Sequence, residues 1–349
     1  MAKSPYQSLQ KHQGNHFLVL RMPYFFFNFR EITLSHIAND VKIRYNSRMK
    51  KAFSEIAKIL KKPNPLIVVL GPTASGKTAL SLSLAKKYNC EVISADSRQI
   101  YKKMTISTDK IQEKDMQGIR HHLIDFVEPD QVYTVAEWKR DALKVIEDIH
   151  KRGKIPMIVG GTGLYISSVI YNFEIPIIPP NSGFRKRLEA LAEKYGTPYI
   201  YKKLMKVDPK TAKKTLKNNL RYIIRALEIN KFSKANKVDK KGKSKFNYAL
   251  IGINWPREEL YSRIDKRVEI QIERGLLDET AKLAKKYDVK LPSMTAIGCK
   301  EILPYLNGKQ TLENMIQRLK YNTHHYARRQ ISWFKREKKI IWLKPKDLK

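Results

Sequence analysis

The chain has 349 residues, of which 42% are hydrophobic, so it is long enough to bury one large core or two unequal ones. Its 69 Lys and Arg residues against 33 Asp and Glu give a formal net charge of +36, which attracts polyanions such as nucleic acid. Two cysteines without a C-x-x-C pair exclude a disulfide framework and a thiolate zinc site. No apolar stretch is long and unbroken enough to cross a membrane, so we expect a cytoplasmic protein without a membrane partner.

The first segment of the chain has no clear secondary-structure pattern. Its apolar stretch is broken by Arg21 and Pro23, and no sustained amphipathic pattern begins before about Met49. We therefore expect residues 1–48 to lie outside the folded protein, as the product of a reading frame that extends upstream of Met49.

A phosphate-binding loop is the most specific motif. The G-x-x-x-x-G-K-T pattern is formed by Gly71, Pro72, Thr73, Ala74, Ser75, Gly76, Lys77 and Thr78. It lies between a predicted strand, Leu66–Leu70, and a predicted helix, Lys77–Tyr88, which is the context that the motif requires. Backbone N–H groups bind the anion, Lys77 reaches the terminal phosphates, and the Thr78 hydroxyl is suited to hold Mg²⁺. The sequence thus predicts a diphosphate- or nucleotide-binding site.

Strands and helices alternate over the first half of the chain. Further strands are predicted at Glu91–Ala95, Ile155–Val159 and Tyr248–Ile253, and a helix at Thr134–Arg152 begins with a capping box. Alternation of this kind predicts an α/β fold with a P-loop NTPase-like parallel sheet. Ligand sites of such sheets lie at the carboxyl ends of the strands.

The pattern changes in the second half. Residues 181–230 have helical patterns without a strand, and residues 231–246 are a Lys-rich connector. We therefore predict the first part of the core at 49–180, an inserted helical domain with its connector at 181–246, and completion of the core with a basic helical C-terminal region at 247–349.

Two candidate site segments follow predicted strands. Asp96 ends the second strand, where a carboxylate can help to hold Mg²⁺ or accept a proton, although Asp is also a common helix N-cap. The glycines around Thr162 follow the third strand and either let a ligand approach the backbone or form a plain turn. An ATPase would often have an acidic residue at that strand end, where this chain has glycine.

The C-terminal half adds basic candidates. Arg263 and Arg267 are one helical turn apart beside an apolar stripe, so they either clamp a diphosphate or simply extend to solvent along the core. The run 321–336 mixes basic and aromatic residues, which is typical of nucleic-acid contact and also of a basic helix packed on a core. Neither adjacent His pair, at 121–122 or 324–325, is a metal site, since neighbouring side chains point apart.

Several ordered motifs carry a family resemblance. They are the phosphate loop at 71–78 and the stretches 94–101, 120–125, 159–165, 225–228, 296–301 and 329–333. In this order they resemble the tRNA dimethylallyltransferases (tRNA isopentenyltransferases) of bacterial type, from about Pro65 to Trp342. The sequence departs from the family at Cys299, where an aromatic residue is usual, and at Tyr222, where a basic residue is common.

The resemblance implies transfer of a dimethylallyl group from its diphosphate to the N6 amine of the adenosine 3′-adjacent to the anticodon, with Mg²⁺ as the cofactor. It implies that Asp96 is the general base and an indirect contact of Mg²⁺. It also implies that Lys77, Thr78 and Arg267 contact the departing diphosphate. It implies the tRNA anticodon stem-loop as a partner of a monomeric enzyme. The implied tRNA contacts are Asp96, Ser97, Arg98, Gln99, Thr162, Arg185, Arg221, Tyr222, Arg225, Lys300, Arg328, Arg329, Gln330 and Trp333.

Other functions for a phosphate loop remain open on the residues alone. A small-molecule kinase would need ATP and would leave the basic C-terminal region without a role. A prenyltransferase acting on free adenine nucleotides would not need the helical insertion. A non-catalytic RNA-binding NTPase switch would bind RNA and nucleotide without transferring a group.

Overall fold

A parallel sheet forms the core of the computed structural model, which describes residues 47–176, 178, 180–232 and 242–347. Its strands are β1 (Pro65–Leu70), β2 (Cys90–Ala95), β3 (His121–His122), β4 (Ile155–Gly160), β5 (Asn247–Ile253) and β6 (Ile341–Leu343). They pair in parallel in the order β3-β2-β4-β1-β5-β6. The predicted α/β fold with a parallel sheet is confirmed.

The four predicted strands are β1, β2, β4 and β5, each found within a residue of its predicted ends. Two further strands that the sequence did not predict, β3 and β6, extend the sheet at its two edges. These edge strands have two and three residues, which is too short for a residue pattern to be recognised. Their pairing partners in β2 and β5, rather than their own sequences, make them strands.

Helices cover both faces of the sheet. Within the described ranges they are α1 (Ser47–Leu60), α2 (Lys77–Tyr88), α3 (Val135–Lys151), α4 (Gly163–Ile170), α5 (Ser182–Tyr195), α6 (Thr197–Val207), α7 (Pro209–Lys214), α8 (Leu220–Phe232), α9 (Arg257–Glu273), α10 (Leu276–Lys286), α11 (Cys299–Leu306) and α12 (Leu312–Phe334). The predicted capping box of α3 is confirmed, since the Thr134 hydroxyl accepts from the Glu137 N–H and the Glu137 carboxylate accepts from the Thr134 N–H.

Strands β1, β2, β4 and β5 are largely apolar, as expected for a parallel sheet with both faces buried. In β1, Leu66 and Val68 face a cluster with α3 and α4, while Ile67 and Val69 face a cluster with α1 and α2. Helix α1 begins at Ser47, two residues before the predicted boundary of the fold. The rest of the predicted extension, residues 1–46, lies outside the described residues.

The order of the strands positions the functional segments. Strands β2, β4 and β1 are neighbours, and their last residues are in register, Ala95 with Gly160 and Leu70 with Gly160. The segments that follow these strands therefore leave the sheet side by side at its carboxyl edge, which is where parallel α/β sheets bind ligands.

The predicted helical insertion consists of α5 to α8, which share an apolar cluster of their own around Ile200, Leu204 and Ile223. Helix α8 continues to Phe232, so the first two residues of the predicted connector are helical. Residues 233–241 of that connector lie outside the described residues. The proposed domain boundaries stay a prediction.

Helices α9 to α12 and β6 make up the C-terminal region. Leu260 and Ile264 of α9 pack against Ala327 of α12, and Val268 of α9 joins a second cluster with α10, α11 and α12. Among the described residues, no helix is long and apolar enough to cross a membrane.

Candidate active site

The phosphate loop connects β1 to α2 at the carboxyl edge of the sheet. Ala74 and Gly76 have φ angles of 59° and 91°, the left-handed conformation that curls the loop backbone. Helix α2 begins after Gly76 without a side-chain cap and without an acidic residue in its first turn. Its first N–H groups and the positive end of its dipole are therefore directed at an anion site.

Lys77 folds back over this loop. Its Nζ donates a 2.6 Å hydrogen bond to the carbonyl oxygen of Pro72. Burial lowers the pKa of Lys77 to about 8, an effect that Asp96 and Asp109 oppose and that Arg267 reinforces. Because this pKa remains above 7, the amine is protonated at neutral pH and can pair with a phosphate.

Helix α9 brings two arginines to the loop, one turn apart as the sequence predicted. Arg267 Nη1 donates to the Thr73 hydroxyl at 3.0 Å, and Arg263 Nε donates to the carbonyl oxygen of Ala74 at 2.8 Å. The Arg263 guanidinium also lies over the Trp255 ring, 4.2 Å from its centre. Both arginines are thus held beside the loop by specific contacts.

Asp96 lies at the end of β2, one strand away from Thr162 at the end of β4. Asp96 Oδ1 accepts from the N–H groups of Arg98 at 2.8 Å and Gln99 at 3.4 Å, so it caps the following turn. In the described part of the chain, both of these hydrogen bonds are accepted by Oδ1 and none by Oδ2. The Thr162 hydroxyl accepts from the Ser97 N–H at 3.1 Å, which ties the two strand ends together.

Gln330 of α12 connects the phosphate loop with the glycine turn after β4. Its Oε1 accepts from the Thr73 N–H at 2.9 Å, and its Nε2 donates to the carbonyl oxygen of Gly161 at 3.0 Å. A methyl group on Gly161 would lie 2.1 Å from this Nε2, and one on Gly163 would lie 2.2 Å from the Trp333 ring. The glycines are therefore required for the close approach of α12.

Comparisons with known proteins identify the family. A family model described as IPP transferase matches residues 99–337. A tRNA dimethylallyltransferase of Caldanaerobacter subterraneus subsp. tengcongensis is 45% identical over 292 residues, which is 81% of this chain and 93% of that protein. The chain belongs to the tRNA dimethylallyltransferase family. It is accordingly a transferase, and the resemblance seen in the sequence is confirmed.

Solved structures of the family share the fold. The tRNA isopentenylpyrophosphate transferase of Bacillus halodurans has a TM-score of 0.61 and 42% identity, covering 80% of this chain and 90% of that chain. A eukaryotic dimethylallyltransferase acting on tRNA has a TM-score of 0.66 and 31% identity, covering 80% of this chain and 74% of that chain. These relatives favour prenyl transfer over a small-molecule kinase, a free-nucleotide prenyltransferase or an NTPase switch.

Two of the predicted tRNA contacts hold a buried carboxylate. Arg185 Nε and Nη2 donate to the two oxygens of Glu228 at 2.9 and 2.6 Å, and Arg225 Nη1 donates to Glu228 Oε2 at 2.6 Å. Burial opposes the charge on Glu228, but these hydrogen bonds keep its pKa below the usual range. In this family member, both guanidinium groups therefore have a structural partner as well as any RNA role.

The other predicted contacts on the insertion and its neighbours differ in exposure. Arg221 and Tyr222 are exposed at the start of α8, and Tyr222 has 60% of its surface accessible. Arg98 is turned toward the loop before α11, where Nη1 donates to the carbonyl oxygen of Pro292. Lys300 lies half exposed, 3.4 Å from the buried Glu301.

Helix α12 carries the remaining predicted contacts. Arg329 is exposed, and Trp333 is partly exposed with its Nε1 donating to the Ser167 hydroxyl at 3.4 Å. Arg328 donates to the Tyr261 hydroxyl at 2.7 Å. Gln330 is only 5% exposed, so the structure gives it a bracing position. Its predicted tRNA contact stays a prediction.

Cys299, one of the departures from the family pattern, is fully buried and packs against Ile100 and Met294. Burial raises the pKa of this thiol to about 12. The departure at this position therefore lies in the core and not on an exposed surface.

Sequence reasoning missed two neighbours of the phosphate loop and the bracing position of a third residue. Trp255 donates from Nε1 to the carbonyl oxygen of Ser75 at 2.9 Å, and its position just after β5 was a usable signal. Asp109 forms an ion pair with Arg267 at 3.3 Å, but it lies in a turn without a recognisable pattern. Gln330 was predicted only as a tRNA contact, so its bracing position between Thr73 and Gly161 was missed.

The residues at the loop fit a diphosphate accompanied by Mg²⁺. Thr78 is an exposed residue at the start of α2, and the buried Ser75 Oγ has no hydrogen-bond partner within the described residues. No cluster of three His, Cys, Asp or Glu side chains that could hold a metal occurs in the described ranges. A metal there would need the donor's phosphate oxygens as ligands, which is the usual mode of Mg²⁺ binding at phosphates.

Proposed function

We propose that this chain transfers the dimethylallyl group of dimethylallyl diphosphate to the N6 amine of the adenosine 3′-adjacent to the anticodon of tRNA. The observation that carries the proposal is the alignment of the phosphate loop, Thr162 and Asp96 along one edge of the sheet. A diphosphate site next to a hydroxyl and a carboxylate suits a donor diphosphate beside an acceptor amine. The names of the relatives, tRNA dimethylallyltransferases, supply the two substrates.

In the proposed reaction, the adenosine N6 forms a bond to C1 of the dimethylallyl group while the bond from C1 to the diphosphate oxygen breaks. The bonding electron pair leaves with the diphosphate, and one N6 proton passes to Asp96 as the general base. Asp96 Oδ2 suits this step, since Oδ1 already caps a turn. Thr162 would contact the adenosine from the neighbouring strand end.

Charge on the departing diphosphate is the main electrostatic demand of this step. Lys77, Arg267 and the N–H groups of the loop would stabilise that charge from fixed positions. The Thr78 hydroxyl and the donor phosphates would hold Mg²⁺, with Asp96 as an indirect contact, and the ion would supply further positive charge.

The RNA partner is proposed to be the anticodon stem-loop. An adenosine inside a folded loop must leave its stack to reach the carboxyl edge of the sheet. The exposed side chains of Arg221, Tyr222, Arg329 and Trp333 offer charge and stacking surfaces for the surrounding RNA. We further propose that the protein acts as a monomer in the cytoplasm.

One substrate-pairing experiment tests this function. The protein is incubated with Mg²⁺ and unmodified tRNA in the presence of dimethylallyl diphosphate or ATP, and separately with AMP in place of tRNA. We expect prenylated adenosine only in the reaction that contains dimethylallyl diphosphate and tRNA. Phosphate transfer from ATP would support the kinase, and prenylation of AMP would support the free-nucleotide prenyltransferase. Either result, observed while tRNA is not prenylated, would refute the proposal.

A further inference from the structure

The turn at residues 105–110, here called the 105–110 turn, is held against α10 and α9. The two carboxylate oxygens of Glu279 accept from the N–H groups of Thr105, Ile106 and Ser107 at 2.9, 2.7 and 2.9 Å. Gln271 Nε2 donates to the carbonyl oxygen of Ile106 at 2.6 Å. A carboxylate that receives three backbone N–H groups fixes the path of the chain at this point.

The same turn is also held by residues of the segment that follows β2. Gln99 Nε2 donates to the carbonyl oxygens of Thr108 and Asp109 at 3.1 and 3.4 Å. Lys110, which is buried, donates from Nζ to the carbonyl oxygen of Tyr101 at 2.6 Å. The backbone of Asp109 is therefore fixed from two directions, with a φ of 49° that Asp and Asn tolerate better than most residues.

This arrangement brings the Asp109 carboxylate to the arginine that flanks the phosphate loop. Asp109 Oδ2 lies 3.3 Å from Arg267 Nη1, and Asp109 Oδ1 lies 3.7 Å from Arg274 Nη1. The same Nη1 of Arg267 donates to the Thr73 hydroxyl at 3.0 Å. One end of the guanidinium thus has both of its contacts on protein groups, and Nη2 and Nε carry the remaining N–H groups.

We propose that Asp109 is a positioning residue for prenyl transfer, which anchors Nη1 of Arg267 so that its other N–H groups meet the departing diphosphate. This inference rests on the proposed function. The 105–110 turn, which Glu279 holds in place, would thereby keep the Asp109 carboxylate at the edge of the donor site. A planar guanidinium held at one nitrogen has a defined plane, which is what bidentate contact with phosphate oxygens requires.

The charge of Asp109 and its positioning of Arg267 are expected to affect different steps of the reaction. Asp109 is negative and lies near a site for an anion, so its removal should strengthen diphosphate binding on Coulombic grounds alone. Its removal should slow the chemical step, because Arg267 would lose its fixed orientation where charge develops. The signature of a positioning role is therefore a lower kcat with an unchanged or lower KM for the donor.

The test uses Asp109→Asn, which keeps the side-chain size and the left-handed backbone preference. We expect kcat to fall about 10-fold, within the range for a lost orienting contact, while the donor KM does not rise and the tRNA KM is unchanged. Asp115→Asn, which removes an exposed carboxylate six residues further along the chain, is the matched control and should leave both constants as in the wild type.

A double-mutant cycle shows whether the effect passes through Arg267. In the Arg267→Gln background, Asp109→Asn should cause no further loss of kcat. Wild-type kinetics in Asp109→Asn would overturn the proposal, and so would an equal further loss in the Arg267→Gln background, which is what a folding defect would produce. Absence of prenyl transfer by the wild type would instead refute the proposed function.

Discussion

Each charged side chain around the phosphate loop is held in place by another protein group. Lys77 donates to Pro72 within the loop, and Arg267 and Arg263 donate to Thr73 and Ala74. Fixed charges of this kind stabilise a developing negative charge without having to reorganise during the reaction. The chemistry proposed for this site therefore depends on partners outside the motif as much as on the motif itself.

The role of Asp96 as the base leads to the first prediction. Asp96→Asn should lower the single-turnover rate roughly 10²-fold or more, because the amide cannot accept the N6 proton. Binding of tRNA should be largely retained, since the amide oxygen can still cap the turn that Arg98 and Gln99 begin. Rates and tRNA affinity are measured on the same preparations. Full activity of the variant would remove Asp96 from the role of base.

Glu91 gives a prediction about stability and pH. Its carboxylate is 2% exposed and accepts from Arg152 Nη2 at 2.7 Å, from Lys154 at 3.0 Å and from His122 at 2.7 Å. The hydrogen bond from Arg152 above all holds the pKa of Glu91 far below its ordinary value of 4.5. Glu91→Gln should lower the free energy of unfolding at pH 7 by about 3 kcal/mol, as expected when one partner of a buried ion pair is lost.

The pH dependence of this difference follows from the lowered pKa. Below about pH 4.5 the unfolded chain binds a proton at Glu91 that the folded chain does not, so the wild type loses stability. The difference in free energy of unfolding between the wild type and Glu91→Gln therefore becomes smaller. Urea unfolding at neutral and acid pH measures both values. Glu147→Gln, which removes an exposed partner of Lys151, is the control and should change little at either pH. A difference in free energy of unfolding that stays constant with pH would contradict the lowered pKa of Glu91.

At the scale of elements, helix α8 combines a structural arginine with an exposed one. Arg225 pairs with the buried Glu228, whereas Arg221, one turn earlier, is exposed. Arg225→Ala should therefore destabilise the protein by about 2 kcal/mol, since part of the pairing of a buried carboxylate is lost. Arg221→Ala should leave the melting temperature unchanged and weaken tRNA binding. Thermal unfolding and tRNA titration of both variants separate the two roles, and equal melting temperatures would refute the structural role of Arg225.

The elements also differ in how far the sequence predicted them. Strands β1, β2, β4 and β5 and the loop at 71–78 were predicted because their signals are local: continuous apolar runs and fixed glycine spacing. The pairing of Arg185 with Glu228 was not, because it joins α5 to α8 across 43 residues. The contact of Asp109 with Arg267 depends in the same way on how the 105–110 turn packs against α10 and α9.

At the scale of the whole molecule, the excess of positive charge fits a polyanionic partner. The formal charge of +36 is spread over the chain, and α12 presents exposed basic and aromatic side chains next to the buried brace Gln330. This brace joins the proposed RNA-facing helix to the phosphate loop. The proposed RNA-facing helix and the proposed donor site are thus parts of one connected structure.

Charge of this kind predicts a strong dependence of tRNA binding on salt. The logarithm of the association constant should fall linearly with the logarithm of salt concentration, because each neutralised phosphate releases counterions. Titrations at several salt concentrations give the slope, and Arg221→Ala should reduce its magnitude by about 1. A salt-independent affinity would contradict an electrostatic RNA interface.

The central claim is that the phosphate loop holds the diphosphate of a prenyl donor whose C1 faces the amine acceptor. The most direct measurement is a crystal structure with Mg²⁺ and a non-reactive thiolo analogue of dimethylallyl diphosphate. We predict that the diphosphate lies on the N–H groups of Gly76 and Lys77 with Arg267 in contact, and that the dimethylallyl C1 points toward Asp96 and Thr162. A diphosphate bound elsewhere, or a prenyl group directed away from Asp96, would contradict the account.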